Sequence, residues 1–182
     1  MNIYISMLRG INVGRNKKIK MKELKVLYES LNFKNVKTYI QSGNVVFKFE
    51  DLPPSKLREK IENKIKEVFG FDVMVFIRTK NEFRNIINDN PFSKEDPKQL
   101  HVTFLSDTPF EMPFKEIDLK KDEAEKFSII AKEVYLFLPN GYGRTKLSTG
   151  FFQKKLKVSA TNRNWRTVNK LYDIANEADI KK

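Results

Sequence analysis

Residues 36–49 read Val36-Lys37-Thr38-Tyr39-Ile40-Gln41-Ser42-Gly43-Asn44-Val45-Val46-Phe47-Lys48-Phe49. Two runs rich in β-branched and aromatic residues flank the turn-forming Gln41-Ser42-Gly43-Asn44, which predicts a β-hairpin. What surrounds that hairpin decides the fold. Upstream, Met21, Leu24, Leu27, Tyr28 and Leu31 recur every three or four residues, the apolar stripe of a helix. Downstream, Pro53-Pro54-Ser55 opens a second helical pattern, with Leu57, Ile61, Ile65 and Val68 on one stripe and Gly70 as its stop. Further out, Ile3, Ile5 and Met7 alternate with Tyr4 and Ser6 as in a strand, and Asp72 to Arg78 forms another. The order is β-α-β-β-α-β, which predicts a ferredoxin-like unit over residues 1–79.

Beyond it the pattern is less regular. Asn81 is placed to cap a short helix carrying Phe83, Ile86 and Ile87, which Asn90-Pro91 ends. Leu100 to Leu105 reads as a strand, and Phe127 to Ala131 pairs with Val134 to Leu138 across Lys132-Glu133. Residues 106–126, with Pro109, Pro113 and many charges, read mostly as loop. Two helices are expected at about Lys146 to Leu156 and Asn162 to Glu177. The fold class is therefore α+β: a ferredoxin-like unit packed against a smaller α+β C-terminal subdomain, residues 80–182, that ends in two helices. Val73 to Ile77 is apolar on both faces, which implies cover on both sides of its sheet.

Composition narrows the chemistry. Cysteine is absent, so disulfides, thiol catalysis and thiolate metal sites are excluded. The one histidine, His101, lies in the apolar run Leu100 to Leu105, where a hydrogen-bonded ring at the edge of a core is a simpler reading than a catalytic base. No metal site and no cofactor are expected. No nucleophile is visibly paired with a base, so no catalytic residue is assigned. No run of about 18 apolar residues is present, so no membrane span is expected. The N-terminal residues read as a strand instead of a signal peptide, and a cytoplasmic location follows as the expectation.

Charge is unevenly distributed within a formal net of +12. Residues 1–22 hold Arg9, Arg15, Lys17, Lys18, Lys20 and Lys22 without one acid. Residues 134–172 hold Arg144, Lys146, Lys154, Lys155, Lys157, Arg163, Arg166 and Lys170, again without one. If these stretches met they would form a basic surface for phosphate-bearing partners. The competing explanation is lysine-rich composition spread over a solvated face.

Three strings invite a ligand. Leu8-Arg9-Gly10-Ile11-Asn12-Val13-Gly14 follows the first strand; its glycines and donors suit an anion or simply a turn, and its spacing is not that of a P-loop. Gly141-Tyr142-Gly143-Arg144-Thr145-Lys146 is either a basic anion cradle at a helix start or an ordinary hairpin exit. Thr161-Asn162-Arg163-Asn164-Trp165-Arg166 opens the last helix, with Thr161 as cap and Arg163, Arg166 and Lys170 on the face opposite Trp165. Ile3 to Leu8 also fits the loose first signature of an RNA-recognition motif. The strand that should carry its stacking aromatics, however, has Asn44 and Val46 there, which argues against that mode.

Together with Asn90-Pro91-Phe92, Leu100-His101-Val102 and Tyr135-Leu136, these strings and Thr38 to Phe47 resemble domain-of-unknown-function family 1697 along nearly the whole chain. Arg15 stands where that family often has glycine or lysine, and Thr145 where it often has serine. The resemblance implies an α+β protein and supplies no reaction. It singles out polar residues that packing alone explains poorly: Arg9, Asn12, Gln41, Ser42, Asn44, Arg144, Lys146, Arg163, Asn164 and, on the basic helix face, Arg166. They are expected either to converge on a ligand in a cleft between the subdomains or to staple the fold. The leading expectation is a non-catalytic protein for phosphate-bearing ligands, nucleic acid or a phosphorylated small molecule. An enzyme or sensor for a small anionic metabolite, and a structural protein without a ligand, are the alternatives.

Overall fold

The first strand, β1 (Asn2–Leu8), is buried along both faces from Ile3 onward. The computed structural model describes residues 1–180. After β1 come α1 (Met21–Ser30), β2 (Lys34–Tyr39), β3 (Asn44–Phe49), α2 (Pro54–Phe69) and β4 (Val75–Thr79). The strands form one antiparallel sheet in the order β2-β3-β1-β4. Then follow α3 (Lys80–Asn88), β5 (Leu100–Leu105), α4 (Phe114–Lys120), β6 (Lys126–Ile130), β7 (Glu133–Phe137), α5 (Thr149–Leu156), β8 (Ala160–Asn164) and α6 (Trp165–Ile180). The second sheet is antiparallel in the order β6-β7-β5-β8.

The chain divides into two compact units. One is Met1–Asn85 joined by the C-terminal segment from Lys170, and the other is Ile86–Asn169. The division falls within α3, and α6 from Lys170 groups with the first unit. Ion pairs fasten that part of α6, Lys37 Nζ to Glu177 at 3.1 Å and Lys80 Nζ to Asp179 at 2.7 Å.

In the first unit, alternation in the strands sends Tyr4 and Leu8 to one sheet face with Val45, Phe47, Val75 and Ile77. There they meet the stripes of the two helices, Leu24, Leu27 and Tyr28 from α1 and Leu57, Ile61 and Ile65 from α2. Phe47 stacks on Phe33 at 4.3 Å and on Tyr4 at 5.7 Å. Each buried ring of this kind contributes about 1.5–3 kcal/mol. The hydroxyl of buried Tyr28 is satisfied by Ser6 Oγ at 2.8 Å, and burial raises its pKa. In the second unit, Leu105, Val134, Leu136 and Ala160 form a sheet face that packs with Phe152 and Leu156 of α5 and Ile117 of α4.

Residues 106–126 are mostly loop, as expected, interrupted by α4, which fully buried Ile117 anchors. Three local expectations are corrected. Asn81 does not cap α3. Thr79 does: its Oγ1 accepts the Glu82 N–H at 3.1 Å while the Glu82 carboxylate accepts the Thr79 N–H at 2.7 Å, a reciprocal capping box. The helix expected from Lys146 starts only at Thr149, where Ser148 Oγ accepts the Phe151 N–H. The chain does not end in two consecutive helices, since β8 separates α5 from α6. Residues 160–164 pair along β5, where Val102 lies opposite Arg163, and that ladder outweighs their helical pattern.

Candidate anion-binding site

In the first unit the structure brings together two of the singled-out strings, Leu8 to Gly14 and Gln41 to Asn44. Leu8 N–H donates to the Gly43 carbonyl at 2.8 Å. Asn12 Nδ2 donates to the carbonyls of Ile19 at 2.9 Å and Gln41 at 2.8 Å, and its Oδ1 accepts the Ile19 N–H at 3.0 Å. Asn12 thus closes the 9–20 loop upon itself and ties it to the β2–β3 turn. Its side-chain amide is consumed in doing so. Asn44 is likewise occupied: buried, it donates to the Tyr39 carbonyl at 3.1 Å and to Ser42 Oγ at 2.9 Å. Gln41 is exposed and contributes its backbone carbonyl.

Gly43 is what allows the two strings to touch. Its φ is +75°, and a Cβ there would lie 2.6 Å from Ile11 Cδ1 and 2.8 Å from Leu8 Cβ. The pinned loop takes left-handed backbone at Gly10, Asn12, Gly14 and Lys17, and the Asn12 N–H closes it by donating to the Lys17 carbonyl at 3.1 Å. Beside it is a hollow of about 390 Å³ lined by Arg9, Gly10, Asn16, Lys17 and Met74. Among the described residues, two cations and no carboxylate line it. Arg9 is held at its base by its own N–H, which donates to the Met74 carbonyl at 3.0 Å, and Lys17 Nζ reaches the Asp72 carbonyl at 2.7 Å. Arg15, Lys18 and Lys20 stand exposed along the same loop.

In the second unit, Arg144 and Lys146 are exposed and precede α5 instead of lying in its first turn. They line a hollow of about 570 Å³ together with Asn140, Lys121, Asp122, Glu123 and Glu125. Three carboxylates there offset the cations, which weakens the anion-cradle reading of that string. Arg163 does not join a helical basic stripe. It sits in β8, nearly fully buried, with Nη1 donating to Thr161 Oγ1 at 2.9 Å and to the Asn162 carbonyl at 2.7 Å. Desolvation lowers its pKa to about 10, which leaves it charged at neutral pH. The cap of α6 is Asn164, whose Oδ1 accepts the Thr167 N–H at 2.8 Å, so Thr161 has no capping role. Arg166 is exposed on α6.

His101 is an oriented, satisfied ring. Its Nδ1 lies 3.1 Å from Asn162 Oδ1, Asn162 Nδ2 donates to Thr103 Oγ1 at 2.9 Å, and Tyr142 stacks on it at 5.1 Å. Burial lowers its pKa, with the Asn162 bond opposing. The sheet face carrying Asn44 and Val46 is buried there, so these positions offer no stacking platform for bases. Sequence reasoning passed over Arg78, which is buried in β4 on the same side as Phe76, with Nη1 donating to the Ile77 carbonyl at 3.0 Å. The available signal was its position two residues after an apolar strand residue.

Two antiparallel four-stranded sheets with six α-helices among the described residues make this an α+β protein. The chain belongs to the family described as "Protein of unknown function (DUF1697)", whose model matches residues 1–135. Among solved structures it is similar to the conserved bacterial protein SP0830 from Streptococcus pneumoniae, with a TM-score of 0.70 at 22% identity. That likeness covers 96% of this chain and 98% of the other and concerns the fold. No curated protein matches the chain.

Proposed function

We propose that this is a non-catalytic binding protein for phosphate-bearing ligands, nucleic acid first among them, and that the 9–20 loop makes the contact. The observation that carries the proposal is the carboxylate-free hollow between Arg9 and Lys17, beside a loop whose left-handed turns are locked by Asn12. A locked loop holds its cations in place before a phosphate arrives, so little ordering entropy is lost on binding. Read this way, the first unit is a ferredoxin-like scaffold that presents its binding loop from the end of β1, in a cytoplasmic, basic protein. Arg166 supports a further phosphate contact: a cation in the first turn of α6 opposes the helix dipole, so helix stability does not account for it. Arg144 and Lys146 are weaker contributors because of the acids beside them.

A second reading holds for part of the residue set. Asn12, Asn44 and Arg163 have their polar atoms committed to backbone and hydroxyl partners, which favours a structural role for these three.

The test is anisotropy of a labelled duplex oligonucleotide at about 50 and 200 mM salt, the interval over which phosphate contacts lose most of their affinity. Binding that collapses across it, and that a phosphorylated nucleoside competes away only weakly, supports a polymeric ligand. Full competition by the small molecule shifts the reading to a phosphorylated metabolite. No binding at the lower salt removes the proposal.

A further inference from the structure

Two exposed apolar surfaces among the described residues are opposite in charge. The first is a groove of about 550 Å³ between α1 and α2, lined by Lys22, Val26, Leu27, Lys64, Val68 and Phe69. Val26 is 63% exposed and Val68 52%, although both sit on helices whose other apolar residues are buried or partly buried. Glu23 also lies on the rim, facing Lys20 at 3.7 Å, and Lys64 pairs with Glu67 at 2.6 Å. Lys22 adds positive charge beyond these pairs.

The second is the segment 107–119. Buried Pro109 and fully buried Ile117 hold it to the second unit, and between and beyond them it displays Phe110, 99% exposed, and Leu119, 87% exposed. Asp107, Glu111, Glu116 and Asp118 lie along it with Lys115; Glu116 pairs with Lys155 and Asp118 with Lys121 at 3.5 Å, so the segment's outward negative charge comes from Asp107 and Glu111, which flank Phe110. Large apolar side chains presented this completely from an anchored segment are the kind that fill a pocket on another molecule.

We propose that these surfaces are each other's partners in two copies of the chain: segment 107–119 of one molecule docks in the α1–α2 groove of the next. Phe110 and Leu119 occupy the apolar floor made by Val26, Leu27, Val68 and Phe69, and Asp107 and Glu111 face Lys22. The contact is heterologous, because one copy offers the segment and the other the groove. Each molecule keeps one unused groove and one unused segment, so association continues beyond two copies and weakens with salt.

This geometry has a decisive mixing test. The wild type, Val68→Glu, and Phe110→Ser combined with Leu119→Glu are compared by sedimentation velocity over a concentration series, with circular dichroism to check that each is folded. The wild type is expected to increase in average mass with concentration, and each variant alone to stay monomeric. An equimolar mixture of the two variants is expected to form dimers and nothing larger, since the pair retains one intact segment and one intact groove. A wild type that stays monomeric at its highest soluble concentration overturns the proposal. So do variants that still associate alone, which locates the contact elsewhere, and a mixture that forms no dimer.

Discussion

Asn12 pairs with Ile19 through its side-chain amide much as a strand residue pairs through its backbone. Asn12→Ala removes three bonds at once and is expected to cost about 1.5–4.5 kcal/mol in urea denaturation, at about 0.5–1.5 kcal/mol net per bond. An Asn12 that chiefly binds ligand would leave stability unchanged. Gly43 makes a sharper case. Gly43→Ala meets Ile11 and Leu8 at under 3 Å in left-handed backbone, so a loss of roughly 3 kcal/mol or more is expected. Gly10→Ala, with φ +68° but nothing within 4 Å, is expected to cost only about 1–2 kcal/mol. Equal losses at the two positions would show that the packing between the motif strings is unimportant. His101 sets a pH signature. Its folded pKa is below the ordinary 6.5, so the unfolded chain binds the extra proton as pH falls. The stability this represents is complete above about pH 6.5 and declines below it. Urea midpoints should therefore drop more for wild type than for His101→Asn between about pH 7.5 and 5.5.

At the level of elements, the hairpin around Gln41 to Asn44 and the helices beside it were legible because their hydrophobic periods are long and unbroken. Elements fixed by a few tertiary contacts were not. β8 carries Thr161-Asn162-Arg163-Asn164, a string with every appearance of a helix start, and only its pairing with β5 makes it a strand. The same misreading placed Arg163 on an exposed stripe when it is buried. The short α4 is hidden among prolines and charges because a single residue, Ile117, anchors it. For α3, Thr79-Lys80-Asn81-Glu82 had a capping-box spacing all along. Thr79→Ala is expected to lower stability by about 1 kcal/mol and Asn81→Ala by much less, read from thermal or urea unfolding. The reverse order would restore Asn81 as the cap.

For the whole molecule, basic character was plain from the sequence, and which cations matter was not. Charge counts cannot distinguish Arg9, beside a hollow free of acids, from Arg144, which shares one with Asp122, Glu123 and Glu125. Nor can they show that Asn12 and Asn44 spend their donors on the fold, so that part of the singled-out set is scaffold and part is surface. In the proposed function, the loop between β1 and α1 is the phosphate-binding element. Its most direct test is the salt dependence of duplex binding by Arg9→Ala/Lys17→Ala, with Arg144→Ala/Lys146→Ala as the comparison and urea midpoints confirming that both remain folded. The loop variant is expected to bind more weakly and to flatten the slope of log K against log salt by about 0.9 for each phosphate it no longer neutralises, with a smaller change in the other. An unchanged slope in the loop variant would contradict the account.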